Sequence, residues 1–285
     1  AAGGTIESWS AGATLPGDGP LVDGLLGTGL DRALEGRYAE IVAAVNACGR
    51  PVLPLDIPTG LHADTGRVLG VAVHATVTVC FIGLKLGLFT GRGRAFAGDV
   101  LFAGLDVPER LEAGLEPAAR RLEPDCLRDW LGPRARDAYK GHFGHVLVVG
   151  GDHGMGGAAL LAGRAALRSG AGLVTVATRP AHAAAMFAAQ PELMCRGVAE
   201  PREIEALLER ATVLVAGPGL GRSAWAQELL AAALDSGLPC VFDADALNLL
   251  SEHPRRVPRA VLTPHPGEAA RLLDSTAAEI EADRP

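Results

Sequence analysis

Apolar residues repeat with two different spacings along the chain, and each spacing predicts a different element. Residues 37–48 place apolar side chains three and four positions apart, which predicts an amphipathic helix. Residues 52–57 form an extended apolar run. Residues 71–81 alternate apolar and polar positions, which predicts a strand with a turn near His74. The first part of the chain therefore alternates helix and strand.

A second series of elements follows after residue 140. Short apolar runs predict strands, and alanine- and leucine-rich segments that end at glycine predict helices. The predicted strands are residues 145–149, 173–177, 213–216, 241–242 and 260–262, and the predicted helices are residues 158–169 and 224–236. Strands that are apolar on both faces and separated by helices predict α/β domains with parallel sheets covered on both sides.

The two series are separated by residues 108–135, which are rich in Pro, Glu, Arg and Asp. This stretch predicts a domain boundary, with one domain in residues 1–115 and a second in residues 122–285. The chain begins and ends within patterned sequence, so we expect both domains to be incomplete.

The amino-acid composition of the chain limits the classes of molecule that it is expected to bind. Of the 285 residues, 48% are hydrophobic, 21% are charged and 4% are aromatic, and the net charge is −7. Scattered basic residues and few aromatics argue against nucleic acid and against anionic membranes as partners. The five cysteines form no C-x-x-C pair, which predicts buried, reduced thiols in a cytoplasmic protein.

Polar residues cluster just after predicted strands, at the edge where α/β sheets bind ligands. Asp23 precedes a glycine turn, where it could hold a cation beside a phosphate or simply cap the next helix. Asp56 suits a ribose hydroxyl pair, and the Thr59 hydroxyl suits a monovalent cation. Both residues are also typical of an ordinary turn, and His62 is better explained as a surface or hydrogen-bonded residue.

The glycine run after residue 149 contains Gly-Met-Gly-Gly-Ala-Ala, a match to the dinucleotide-binding pattern G-x-G-x-x-A. The run is longer than that tight turn needs, and no acidic residue follows the next predicted strand. Arg179 lies there instead and could favour a 2′-phosphate. An NADP-dependent dehydrogenase therefore remains an alternative.

Three more polar loops follow the later predicted strands. Residues 217–221 form a glycine loop that could cradle an anion, and residues 243–248 place two aspartates at a strand end. Residues 263–268 combine His265, a candidate proton shuttle, with Glu268, a carboxylate suited to Mg²⁺ through water. Each loop alone is better explained as structural, but three at successive strand ends indicate a ligand site.

Together these motifs resemble a known pair of families. Asp-Gly-Leu-Leu-Gly-Thr-Gly from residue 23 and Asp-Ile-Pro-Thr-Gly from residue 56 resemble the NAD(P)H-hydrate epimerase domain, as does Phe-Ile-Gly-Leu-Lys from residue 81. Tyr-Lys-Gly-His-Phe-Gly from residue 139 and the later glycine, Asp-Ala-Asp and Thr-Pro-His-Pro-Gly-Glu motifs resemble the ADP-dependent NAD(P)H-hydrate dehydratase. The resemblance implies two three-layer αβα domains, the first Rossmann-like and the second ribokinase-like.

The resemblance implies repair of NADH or NADPH that carries an added water. The first domain would interconvert the R and S hydrates, and the second would use ADP to dehydrate the S form, releasing AMP and phosphate. K⁺ would bind Asp23 and Thr59, and Mg²⁺ would act with ADP near Glu268. The implied hydrate-binding residues are Gly27, Thr28, Gly29, Leu30, Asp31, Arg32, Ala33 and Asp56 in the first domain, and Ala158, Gly219, Gly221 and His265 in the second.

The chain also departs from the family pattern. The expected Asn- and Gly-rich K⁺ and phosphate motif would lie before residue 1, and the nucleotide loop and catalytic Asp would lie after residue 285. We therefore expect weak turnover from this chain alone. We also expect the protein to be a homo-oligomer. A ribokinase-like small-molecule kinase and a binding protein without catalysis remain alternatives.

Overall fold

The computed structural model describes residues 5–10, 12–112, 114–128 and 131–284. The chain divides into two units, one made of residues up to 126 with those from 278 onward, and the other of Leu127–Ala277. The predicted domain limits, 1–115 and 122–285, stay a prediction.

The first unit is built on short parallel strands. Strand β1 (Leu21–Asp23) pairs with β2 (Val52–Pro54), and β3 (Val77–Phe81) pairs with β4 (Asp99–Ala103). A parallel bridge between Leu55 and Val79 links the two pairs, which gives the lateral order β1-β2-β3-β4. The helices here are α1 (Gly36–Ala47), α2 (Gly93–Phe96) and α3 (Glu109–Glu112). The helix predicted for residues 37–48 is thereby confirmed.

The strand predicted for residues 71–81 is wrong in its first half, because only Val77–Phe81 is a strand. The preceding residues form a loop that Asn46 holds in place. The Asn46 side chain donates to the Ala72 carbonyl at 2.9 Å and accepts from the His74 amide at 2.9 Å. The alternation in residues 71–76 therefore belongs to a loop, in which Ala72 and Val73 are buried and His74 and Thr76 are exposed, rather than to a pleated strand.

The second unit contains a six-stranded parallel sheet with the order β10-β9-β8-β5-β6-β7. Its strands are β5 (His145–Val149), β6 (Leu173–Thr178), β7 (Met194–Gly197), β8 (Val213–Ala216), β9 (Cys240–Phe242) and β10 (Ala260–Leu262). The helices of this unit are α4 (Gly156–Arg168), α5 (Pro180–Ala189), α6 (Glu205–Leu208), α7 (Ala224–Asp235), α8 (Asp245–Glu252) and α9 (Pro266–Leu272). The last helix, α10 (Ala277–Ala282), belongs to the first unit from residue 278 onward. The strand order reverses between β5 and β8, the place where doubly wound sheets bind ligands.

Both faces of this sheet are covered, as alternate residues of β5 show. Leu147 and Val149 pack into one core cluster with α7 and α8, whereas Val148 packs into a second cluster with α4 and Met186 of α5. Because neighbouring strand residues point to opposite faces, a helical layer lies on each side. The predicted α/β class with parallel sheets is confirmed.

The prediction of five buried thiols is wrong for Cys126, which is exposed, whereas Cys80 and Cys240 are buried and Cys48 and Cys195 are half-buried. All five are free of disulfides. Among the described residues, no helix is both long and apolar enough to cross a membrane.

Candidate functional site

Asp23 and Thr59, which the family resemblance assigns to one K⁺ site, lie in contact near the carboxyl ends of β1 and β2. Asp23 is only 5% exposed, and Thr59 is fully buried. The Thr59 amide donates to Asp23 Oδ2 at 2.9 Å, and its hydroxyl donates to Asp23 Oδ1 at 2.7 Å. Thr59 Oγ1 also lies 3.1 Å from the Leu26 carbonyl. These contacts bring three kinds of oxygen together: carboxylate, hydroxyl and carbonyl.

The loop that follows β1 is open to solvent. Of residues 27–33, all are exposed except the half-buried Leu30. The Leu30 amide closes a turn on the Gly27 carbonyl at 3.3 Å, and the Leu26 amide donates to Thr59 Oγ1. The predicted hydrate loop is therefore tethered to Thr59 at its base and accessible at its tip.

Asp56 follows β2 and forms an ion pair with Lys85. Lys85 Nζ also donates to the Phe81 carbonyl at 2.9 Å, and the Phe81 amide donates to Asp56 Oδ1 at 3.0 Å. Lys85 appeared in the sequence only as part of a family motif, without a role. Lys85 is the single lysine of the first unit, and this feature of the sequence could have marked it as a candidate site residue.

In the second unit the glycine loops after β5 and β8 bind each other through their backbones. The Gly151 amide donates to the Pro218 carbonyl at 3.1 Å, and the Asp152 amide donates to the Gly219 carbonyl at 2.6 Å. A Cβ on Gly150 would lie 2.2 Å from the Pro218 carbonyl oxygen, so this glycine is needed for close packing of the loops.

Ala158 and Gly219 lie close together where the loops after β5 and β8 meet. A Cβ on Gly219 would lie 3.2 Å from the Ala158 Cβ, and one on Gly221 would lie 2.9 Å from Asp152 Oδ2. The Gly221 amide donates to Asp245 Oδ2 at 2.8 Å. Asp245 therefore fixes the loop after β8 and lies at the start of α8.

Asp152 forms a buried charged network that the sequence did not predict. Its carboxylate accepts from Arg179 Nε at 2.7 Å, from the Ser223 hydroxyl at 2.7 Å and from the His153 amide at 2.8 Å. Burial by itself raises the pKa of Asp152, but these hydrogen bonds and the Arg179 charge outweigh it and lower the pKa to about 2. Arg179 also stacks on the Trp225 ring at 4.1 Å.

The assignment of Arg179 to a 2′-phosphate loses support from this network. The Arg179 side chain is 17% exposed and is engaged by Asp152 and Trp225. The backbone amides of Gly151 and Asp152 are also used by the partner loop rather than directed to a pyrophosphate.

His265 and Glu268 begin helix α9 as a capping box. The Gly267 and Glu268 amides donate to His265 Nδ1 at 3.0 and 3.3 Å, and the His265 amide donates to Glu268 Oε2 at 2.9 Å. The neutral imidazole therefore carries its proton on Nε2, which lies 3.4 Å from Glu268 Oε1. The described contacts of His265 stay within its own helix start, two strands from the loop after β8.

Glu268 does not by itself form a metal site. Its carboxylate is 7% exposed and faces the His265 amide and imidazole. Within the part of the chain that the structure describes, no group of three or more His, Cys, Asp or Glu side chains is arranged to hold a metal ion.

Comparison with known proteins assigns a family to each half of the chain. Residues 4–87 match the family described as YjeF-related protein N-terminus, and residues 146–284 match the family described as NAD(P)H-hydrate dehydratase. A ribokinase-like superfamily protein from Enterococcus faecalis V583 has a similar structure, with a TM-score of 0.52 and 33% identity. The match covers 55% of this chain and 57% of that one.

Two curated relatives match across both halves. The bifunctional NAD(P)H-hydrate repair enzyme of Coxiella burnetii is 48% identical over 264 residues, which cover 93% of this chain and 54% of the relative. The enzyme of the same name from Escherichia coli is 43% identical over 93% of this chain and 51% of its own length. The chain thus spans about half the length of these relatives, with both matched regions in one polypeptide. It belongs to the family of bifunctional NAD(P)H-hydrate repair enzymes.

Proposed function

We propose that this chain acts in the repair of hydrated NADH and NADPH. The first unit interconverts the R and S hydrates, and the second takes part in ADP-dependent dehydration of the S form back to NAD(P)H. The observation that carries the proposal is that each unit gathers family-matched polar or glycine-rich loops at the carboxyl ends of its parallel strands.

In the first unit, Asp23 and Thr59 would hold K⁺. Their carboxylate and hydroxyl oxygens, with the Leu26 carbonyl, form the kind of donor set that a weakly hydrated monovalent cation accepts. The bound ion would add positive charge beside the exposed loop. That loop and Asp56 would contact the hydrate, and the residues involved are Gly27, Thr28, Gly29, Leu30, Asp31, Arg32 and Ala33.

In the second unit, Ala158, Gly219, Gly221 and His265 would line the hydrate pocket. The contact between Ala158 and Gly219 supports the first two assignments. The exposed imidazole of His265, held through Nδ1, supports a role as a donor from Nε2.

The dehydration is a phosphoryl transfer followed by an elimination. The ring hydroxyl oxygen attacks the terminal phosphorus of ADP and gives up its proton to water. The bond from that phosphorus to the bridging oxygen breaks, and its electron pair leaves with AMP. The ring C–O bond then breaks with its electron pair on phosphate, and a proton leaves the neighbouring carbon to restore the double bond. Positioning and charge neutralisation supply most of the catalysis in such transfers.

Mg²⁺ would neutralise the phosphate charge of ADP. The buried, hydrogen-bonded carboxylate of Glu268 does not suit direct ligation, so its proposed contact with the ion runs through water. We also propose a homo-oligomer in the cytoplasm, with the hydrate and ADP as small-molecule partners.

A ribokinase-like kinase would use the same fold but keep its phosphoester product. Product analysis separates the two, because repair yields free phosphate and NAD(P)H. The dehydrogenase alternative is disfavoured by the engaged amides of Gly151 and Asp152.

The test is a calorimetric titration of the 285-residue chain with separated R and S hydrates. We expect saturable binding of both epimers, and a stronger response to the S form when ADP and Mg²⁺ are present. Unhydrated NADH is the matched control ligand. Absence of saturable binding by either epimer would contradict the proposal.

A further inference from the structure

Lys85 has a charged partner and a donor left for a ligand. An ammonium group carries three N–H donors, and the described contacts use two of them, to Asp56 Oδ1 and to the Phe81 carbonyl. The described hydrogen bonds of the Asp56 carboxylate all end on Oδ1. One Lys85 donor and Asp56 Oδ2 therefore have no hydrogen-bond partner among the described contacts.

The backbone around this pair is held in unusual conformations. Asp56 has φ +73°, and Ile82, directly after β3, has φ +61°. A β-branched residue at positive φ is a genuine outlier, and such outliers persist where the surrounding structure enforces them, often at functional sites. Here they turn the ends of β2 and β3 so that Lys85 reaches back to Asp56.

The pair is accessible on one side and packed on the other. Side-chain exposure is 19% for Lys85 and 26% for Asp56, and both residues lie beyond the carboxyl ends of β2 and β3. Beneath them, Cys80 is buried and belongs to the same apolar cluster as Ile57 and Leu88. This arrangement lets a ligand approach the pair while the pair stays fixed.

We propose that Lys85 is a further binding residue of the first unit's pocket and that, with Asp56, it recognises a hydroxyl group of the hydrated nucleotide. A hydroxyl is both acceptor and donor, so it can accept from Lys85 Nζ and donate to Asp56 Oδ2. This inference rests on the proposed function. The hydroxyl belongs either to the hydrated ring or to a ribose.

The experiment uses the fact that the chain has only two lysines, Lys85 and the exposed Lys140. In protein labelled with [¹³C]lysine, NMR should show two Cε resonances, and Asp56→Asn should shift only that of Lys85. Titration with hydrate should then move the Lys85 resonance saturably and leave Lys140 unmoved. Unhydrated NADH separates the two sources, because it keeps the ribose hydroxyls and lacks the ring hydroxyl.

The outcomes are distinguishable. Hydrate that moves the amides of Gly27 and Gly29 but not Lys85 would overturn this inference and leave the proposed function standing. Hydrate that moves no resonance in the first unit would overturn both. A Lys85 resonance indifferent to Asp56→Asn would also count against the pair.

Two substitutions give an independent measurement. Lys85→Met should weaken hydrate binding at the first unit, followed at the Gly27 and Gly29 amides, about ten- to a hundredfold, the range for a lost hydrogen bond to a charged group. Lys85→Arg should recover most of the loss, and Lys140→Met should leave the affinity unchanged. Equal affinity for Lys85→Met and the unaltered chain would contradict the proposal, provided that its far-ultraviolet spectrum shows a folded protein.

Discussion

At the carboxyl ends of the strands, the first unit carries a partly exposed pair of charged side chains, whereas in the second unit the loops after β5 and β8 bond to each other through their backbones. Asp56 and Lys85 form a partly exposed ion pair after β2 and β3. The comparable charged pair of the second unit, Asp152 and Arg179, is more buried and is enclosed by Ser223 and Trp225. An ion pair at a strand end can therefore serve either a ligand or the loops around it, and the number of its occupied hydrogen-bond donors and acceptors distinguishes the two roles.

The largest effect is expected from Asp152→Ala. It leaves Arg179 buried without its partner, which costs about 3–5 kcal/mol in the free energy of unfolding. Urea unfolding followed by tryptophan fluorescence measures this loss. Asp56→Asn is the matched control, and we expect it to cost less than about 1 kcal/mol because its ion pair is more exposed. Equal losses from both variants would contradict the contrast between the two pairs.

Gly150→Ala tests whether the loops of the second unit depend on close backbone contact. The new Cβ would force the Pro218 carbonyl away, and overpacking of this kind costs about 1–3 kcal/mol. Gly157→Ala is the control, because its Cβ would meet nothing within 4 Å and alanine favours the helix. Thermal unfolding should therefore show a fall in Tm for the first variant and no fall for the second.

The pH dependence of stability should also reveal the buried pair. The pKa of Asp152 is lowered from 3.8 to about 2 on folding, so its contribution is complete above pH 4. The contribution is lost as the pH falls through the folded pKa, and it amounts to about 2 kcal/mol. Urea midpoints measured from pH 5 to pH 2 should fall more steeply for the unaltered chain than for Asp152→Asn. Parallel curves would show that Asp152 does not carry this dependence.

The smallest expected loss of stability comes from removing the Thr59 hydroxyl, one of the oxygens of the proposed K⁺ site. Thr59→Val keeps the side-chain volume but removes the hydroxyl that bonds Asp23, which should cost about 1 kcal/mol. Thr59→Ser keeps the hydroxyl and is the control. If K⁺ binds here, K⁺ should raise the Tm of the unaltered chain and of Thr59→Ser more than that of Thr59→Val. The same K⁺ response in all three chains would remove Thr59 from the proposed ion site.

The sequence predicted the bounds of three strands of the six-stranded sheet, including the edge strand β10, but missed the edge strands β4 and β7. The bounds of β5, β8 and β10 agree with the prediction, because a short apolar run ends there at a turn residue. Strands β4 and β7 were not predicted. Both lie at the edge of a sheet, as β10 does, but neither is an unbroken apolar run, because β4 begins with Asp99 and β7 contains Arg196 and Gly197.

The candidate site residues could be predicted from the sequence where the interacting residues are close together along the chain or directly follow a predicted strand. The turn at Asp23, the Thr59 hydroxyl and the glycine loops all follow predicted strand ends. The capping role of His265 and Glu268 could also have been predicted from their spacing of three at a helix start. The bond from Arg179 to Asp152 could not, because these residues are 27 positions apart and only the strand order brings them together.

The central claim is that each unit holds its own pocket for the hydrated nucleotide. Hydrogen–deuterium exchange with and without a mixture of the R and S hydrates and ADP tests it most directly. We expect slower exchange in two separate places, residues 24–33 and residues 150–158 with 217–221. Thr59→Val should weaken only the first protection, and Gly150→Ala only the second. Protection in a single region, or in neither, would contradict the claim.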